Sequence, residues 1–222
     1  MKLRVIFILA GLLFVLAGCS SDKESEDDQM MEEMEEVEAR TLIPDLAFER
    51  ALIDEGIDDV EDGSVLTSAV ELVVNLVLED KGITNLTGIE DFNALEGLWL
   101  AENGLTGLDV SNNPNLLFCF VRDNNLQNLD VSGLTQLEKI EANGNVLVSL
   151  DISDNVSLQQ LSLHDNLLES IDISNVPGTI QLNTFSIENN PLDCIQVNEE
   201  QLNDPPVQWT KDPGDTYSLD CT

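Results

Sequence analysis

Between Leu95 and Ser174 the apolar positions recur every 21 residues, with Leu95, Leu116, Leu137 and Leu158 each opening a copy of the template LxxLxLxxNxLxxL. The first copy reads Leu95, Leu98, Leu100, Asn103, Leu105, Leu108, and the second Leu116, Cys119, Val121, Asn124, Leu126, Leu129. The third reads Leu137, Ile140, Ala142, Asn145, Leu147, Leu150, and the fourth Leu158, Leu161, Leu163, Asn166, Leu168, Ile171. Each closes on Asp-Val-Ser or Asp-Ile-Ser, beginning at Asp109, Asp130, Asp151 and Asp172. Inside the template LxL alternates with period two, the mark of a strand with one buried face, not the 3.6 of a helix. One short parallel strand per copy follows. Where the chain turns after each strand, backbone donors and acceptors are drawn inside and need a compact polar partner. Asn103, Asn124, Asn145 and Asn166 are therefore expected to form a buried ladder.

Two flanking copies extend the block. Upstream, Val73, Leu76, Leu78, Ile83, Leu86, Ile89 and Phe92 fit a 22-residue version with Lys81 in place of the asparagine. Downstream, Leu182, Phe185, Ile187, Asn190, Leu192 and Ile195 follow a three-residue insertion around Pro177-Gly178, and Asn190 extends the ladder. From Val73 to Val197 the chain resembles the leucine-rich repeat family, with a spacing close to the internalin-like 21- and 22-residue repeats. The resemblance implies an α/β-type leucine-rich repeat solenoid with short parallel strands on a concave face and a mostly irregular convex side. It implies recognition of a partner without naming one. Six coils exceed the minimum of about three that such a stack needs to bury its own core.

The ends of a stack must be covered, because terminal repeats otherwise expose their leucines. Pro44, Asp45 and Glu49 suit a helix start, Phe48, Ala51 and Leu52 share one face, and Gly56 suits its end, so a capping helix is expected over 45–55. The acidic run Asp58, Asp59, Glu61, Asp62 lacks the alternating ligand spacing of a calcium loop and reads as a solvated turn. After Asn198 the repeat breaks, and Pro205-Pro206, Trp209 and Tyr217 read as a C-terminal cap. Cys194 and Cys221 flank it and are expected to form a disulfide, while Cys119 sits at a template leucine position as a buried thiol.

Lys2 and Arg4 precede the apolar run Val5 to Leu16, too short to span a bilayer and shaped like a secretory signal. Leu16-Ala17-Gly18-Cys19 resembles a bacterial lipobox, which makes Cys19 the lipidated residue; the alternative is an ordinary signal peptide ending near a cysteine. Ser20 resembles the residue that follows in lipoproteins sent to an outer membrane. With Thr222 directly behind the C-terminal cap, attachment is expected through Cys19 and not through a later sorting domain. The acid-rich stretch behind Cys19 cannot bury enough surface to offset ordering entropy and reads as a tether, either a surface-export signal or a spacer. The expected organisation is a signal over 1–18, tether 19–41, N-terminal cap 42–72, six coils over 73–198 and C-terminal cap 199–222. A lipid-anchored monomer on the outer membrane, probing the cell surface, follows.

The formal net charge of -34, from 43 acidic and 9 basic residues, argues against a nucleic-acid partner and against unaided binding to anionic lipid. Side chains between the inward leucines face out of the sheet in columns. One column is Val77, Trp99, Phe120, Glu141, Ser162, Ser186, and its neighbour is Asn75, Gly97, Phe118, Lys139, Gln160, Thr184. Strands about 4.8 Å apart bring Trp99 against Phe120, with Val77, Phe118 and Lys139 beside them and Arg122 at the edge. Exposed aromatics beside an arginine are the stuff of binding hot spots, so these six residues are the candidate ligand surface for a protein or glycan; the alternative is that the cap or tether folds over them. A structural spacer without ligand is the runner-up function. The sequence holds one histidine, no HExxH, no GxSxG and no phosphate loop, so no catalytic residue, cofactor or resident metal is expected. The hydrolase reading would rest on His164 and Ser162 alone, and the acidic column Asp80, Glu102, Asp123, Asp165 reads as solvated surface.

Overall fold

Leu76, Leu98, Cys119, Ile140, Leu161 and Phe185 stack as one buried column, each no more than 1% exposed. A second column, Leu78, Leu100, Val121, Ala142, Leu163 and Ile187, lies beside it and is wholly buried. Each buried leucine removes enough apolar surface from water to contribute about 2 kcal/mol, and the repeat places one at every coil. The fold is a computed structural model describing residues 38–176 and 182–221. The signal segment, Cys19, the tether up to Val37 and the Pro177-Gly178 insertion lie outside the described residues.

The coils deliver β3 (Asn75–Val77), β4 (Gly97–Trp99), β6 (Phe118–Phe120), β8 (Lys139–Glu141), β9 (Gln160–Ser162) and β11 (Thr184–Ser186). They pair in parallel, in that order, with each template leucine opposite its equivalent in the next coil. A seventh strand, β13 (Trp209–Thr210), joins β11, so the C-terminal cap continues the sheet where the sequence reads as broken.

The second side of the coil is more regular than the template predicts. There β5 (Gly107–Asp109) pairs with β7 (Asn128–Asp130), while β10 (Ser170–Asp172), β12 (Cys194–Gln196) and β14 (Tyr217–Ser218) form a further parallel ladder. The Asp-Val-Ser signature has its reason in this ladder. The Asp109, Asp130, Asp151 and Asp172 carboxylates accept from the backbone N–H of the serine two residues on, at 2.9–3.0 Å, closing a turn that follows a strand at all but Asp151.

The asparagines link each coil to its predecessor. Asn145 Nδ2 donates to Val121 O and Ala142 O, both at 3.0 Å, while its Oδ1 accepts from Leu126 N at 2.9 Å. Asn124, Asn166 and Asn190 repeat the pattern, and all four are buried. Asn103 is half-buried and accepts from Lys81 N and Ile83 N, so the first coil keeps the bond although Lys81 stands where its asparagine would be. The residue just before each asparagine, and Asp80 before Lys81, lies in the left-handed region: Asp80, Glu102, Asp123, Gly144, Asp165 and Asn189 have φ between 51° and 68°. Only Gly144 is free of a Cβ there; one added to it would meet Asp123 Oδ1.

A second set of inner amides escaped the sequence reading. Asn113 Nδ2 donates to Ile89 O and Phe92 O, Asn155 Nδ2 to Val131 O and Leu134 O, and Gln201 Nε2 to Ile173 O and Val176 O. All three are wholly buried. The signal was available: Asn113 and Asn155 stand 42 residues, two whole periods, apart.

The N-terminal cap is a hairpin with a helix between its strands. β1 (Arg40–Leu42) pairs antiparallel with β2 (Ser64–Leu66), and α1 runs Leu46–Asp54 with α2 (Thr67–Val70) leading into the first coil. Arg40 and Thr41, which the sequence assigns to the tether, belong to β1. Asp45 caps α1, its Oδ1 accepting from Ala47 N and Phe48 N, and its Oδ2 accepts from Thr84 N and Asn85 N at 2.8 Å, joining cap to coil. Phe48 stacks on Phe92 with ring centroids 6.2 Å apart, closing the open end of the core. At the other end α3 (Glu199–Asn203) begins with a capping box between Asn198 and Gln201, Trp209 packs edge-on against Phe185, and Cys194 is bonded to Cys221. Glu38–Thr222 forms one compact unit.

Candidate functional site

The outward side chains of β4 and β6 set up the candidate face. Register pairs Val77 with Trp99, Trp99 with Phe120, and Phe120 with Glu141. The Trp99 and Phe120 rings lie 5.5 Å apart at 48°, and Phe118 and Phe120 are parallel at 6.4 Å. All three rings are half-buried, and Val77 beside them is 49% exposed. Gly97 explains how Trp99 sits: a Cβ there would collide with the six-membered ring of the indole, so the ring lies down over the glycine instead of standing off the sheet. A glycine inside a strand signals such a close approach, and Gly97 is the residue whose role the sequence reading passed over.

The two cations of the face are both engaged. Arg122 Nη1 donates to Asp123 Oδ2 at 2.7 Å and Glu102 Oε1 at 3.3 Å, and the Asp123 bond leads in raising the guanidinium pKa above its usual value. Lys139 Nζ stands 5.5 Å from the centroid of the Phe118 ring, a cation–π contact. Arg122 is thus an ion-paired rim, one cation shared by two carboxylates.

The C-terminal half of the same face is polar. Gln160 Nε2 donates to Glu141 Oε1 at 3.0 Å, the Ser162 and Ser186 hydroxyls are 2.9 Å apart, and His164 Nδ1 pairs with Asp165 Oδ2 at 2.7 Å. That histidine contact leads in holding the Asp165 carboxyl below its usual pKa, with Asn189 Nδ2 donating to the other oxygen. Ser162 thus bonds a second hydroxyl while His164 bonds a carboxylate. Among the described residues no three His, Cys, Asp or Glu side chains converge as a metal cluster. Cys119 lies wholly buried behind the aromatic rings, and burial pushes its thiol up to about 12, so it stays protonated and unreactive. Cys194 and Cys221, with Cα atoms 5.7 Å apart, close a loop of 27 residues at the far end.

No protein-family model and no curated protein matches the sequence. Among solved structures, the functional domain of InlJ from Listeria monocytogenes superposes with a TM-score of 0.62 at 26% identity, over 72% of this chain. The fold is that of an internalin-like leucine-rich repeat protein. This chain spans 38% of the InlJ chain. The LRIM1/APL1C complex also matches, with a TM-score of 0.51 at 21% identity over 60% of this chain and 26% of that one. The InlJ domain is described as including a cysteine ladder. The leucine-rich repeat protein here has one cysteine, Cys119, in its strand column, between Leu98 and Ile140.

Proposed function

We propose that this leucine-rich repeat protein is a binding module, working by capture and not by catalysis, whose ligand surface is the aromatic part of the sheet face: Val77, Trp99, Phe118, Phe120, Arg122 and Lys139. The observation that carries the reading is the Trp99–Phe120 pair, half-exposed on a face whose other half is hydrogen-bonded polar side chains. Large aromatic side chains laid flat on a sheet supply contact area at little entropic cost, and they dominate interfaces where they occur. The likeness to internalin-like solenoids supports a protein partner. The disulfide accords with an oxidising compartment, and the Cys19 lipobox with attachment of an exported monomer to an outer membrane through lipid.

The test is capture of surface partners by the Glu38–Thr222 unit, wild type against a Trp99→Ala/Phe120→Ala double variant. A central aromatic pair contributes 2 kcal/mol or more, so capture should fall about thirtyfold. Because both side chains lie outside the leucine columns, the melting temperature should drop by only a few degrees. Unchanged capture refutes the assignment, and a collapsed fold makes the rings packing elements instead.

A further inference from the structure

Taking the sheet face as the binding surface, the charge around it selects the partner: we infer that it receives a basic polypeptide segment, with a Lys or Arg side chain seated on the Trp99–Phe120 rings. The rings lie between two acidic rims. On the side where the strands leave the sheet stand Glu79, Asp80, Glu102 and Asp123, and where they enter stand Glu96 and Glu138. In register with Phe120 on the next strand is Glu141.

The cations already present do not balance these carboxylates. Arg122 is one charge shared by Glu102 and Asp123, which leaves that group net negative. Lys139 is held over Phe118, and its position shows what the rings accept: an ammonium at 5.5 Å from an aromatic centroid, on the same face and one ring away from Phe120. An incoming Lys or Arg would repeat that contact on Trp99, where the flattened indole offers its broad face, the strongest aromatic partner for a cation. A chain of formal charge -34 adds a long-range field that draws in basic partners and repels acidic ones before contact. A neutral oligosaccharide can stack on flat rings too and can donate hydroxyls to the carboxylates, but it brings no positive charge to offset them, so the charge favours the basic peptide.

The test is a random peptide display library panned on the Glu38–Thr222 unit, with counter-selection on the Trp99→Ala/Phe120→Ala variant and both proteins checked for native circular dichroism. Enriched peptides should carry Lys or Arg with net positive charge and should not bind the double variant. Glu141→Gln should weaken them several-fold. Raising salt from about 0.1 M to about 1 M shortens the screening length from about 10 Å to about 3 Å and should weaken capture about tenfold. Neutral or acidic peptides that still require Trp99, or a shift of Trp99 emission by chitotriose with no peptide enriched, overturn the charge assignment and leave the binding face standing. Basic peptides that bind the double variant equally well are drawn by net charge alone and overturn both, as does a panning that enriches nothing together with a Trp99 emission that chitotriose leaves unchanged.

Discussion

Asn145 closes polar groups of two coils with a single amide, donating to Val121 O and Ala142 O and accepting from Leu126 N. Replacing it by Ala leaves Leu126 N buried without that partner, which costs about 1–3 kcal/mol, and takes one of two donors from Val121 O and Ala142 O, which keep Asn124 Nδ2 and Asn166 Nδ2. Asn145→Ala is therefore expected to lower the unfolding free energy by about 2 kcal/mol in urea titration. Asn103→Ala, at a half-buried position that water can reach, should cost about a third as much; equal losses would contradict the account. The turn aspartates carry a pH signature. The Ser132 backbone N–H, then its hydroxyl, hold the Asp130 carboxyl below the ordinary carboxylate range, and Ser153 does the same for Asp151. A folded pKa below the unfolded one, about 3.9, gives stability that is complete above that value and is lost as pH falls through the lower folded one. Carboxyl chemical shifts should show Asp130 titrating low, and Ser132→Ala should bring it part-way back up. An Asp130 pKa unmoved by that change would show the hydroxyl bond to be immaterial and leave the backbone N–H as the whole cause. At this scale the ladder asparagines are visible in the sequence because each stands at the same place in the LxxLxLxxN template. Asn113 and Asn155 keep the period too, two copies apart, but they stand outside that template and Leu134 and Val176 interrupt their column, which hides the signal.

Among the elements, the helix expected over 45–55 runs Leu46–Asp54 between Asp45 and Glu55, because the cap chemistry is local and written in adjacent residues. The hairpin around it is not local. β1 and β2 pair across 21 intervening residues, and three-residue strands such as Arg-Thr-Leu carry no alternation long enough to read. The C-terminal cap hides for a related reason. β13 and β14 are two residues each, separated from the last full copy by Pro205-Pro206, yet they pair with β11 and β12. Only the disulfide there is announced by the residues. It ties Cys221, three residues beyond β14, to Cys194 on β12, and closing a loop of 27 residues stabilises the fold by about 3 kcal/mol. Cys221→Ser should lower stability by about that amount. In hydrogen exchange, the amides bonded to Thr216 O and Ser218 O, those of Ile195 and Val197, should lose protection first. Uniform loss along the chain would mean that the bond acts on the unfolded state without holding the tail.

For the whole molecule, the 21-residue period contains the sheet, since a repeat that buries one column of leucines leaves the next residues no other face. The same period predicts which aromatic side chains meet, and Trp99 and Phe120 do meet. It does not tell how they lie. The posture of Trp99 depends on Gly97 two residues back, and the occupation of Arg122 depends on carboxylates from two coils. Charge, which argues against nucleic acid from the sequence alone, gains a location only when the acidic rims are seen on either side of the rings.

Because each ladder amide reaches back to the coil before it and asks nothing of the coil after except another amide, the stack has no preferred number of units. A duplication or deletion in steps of 21 residues would re-form the same joints and leave both end pieces untouched. Length is then free to vary in descent while the aromatic rings, confined to two neighbouring turns, travel intact.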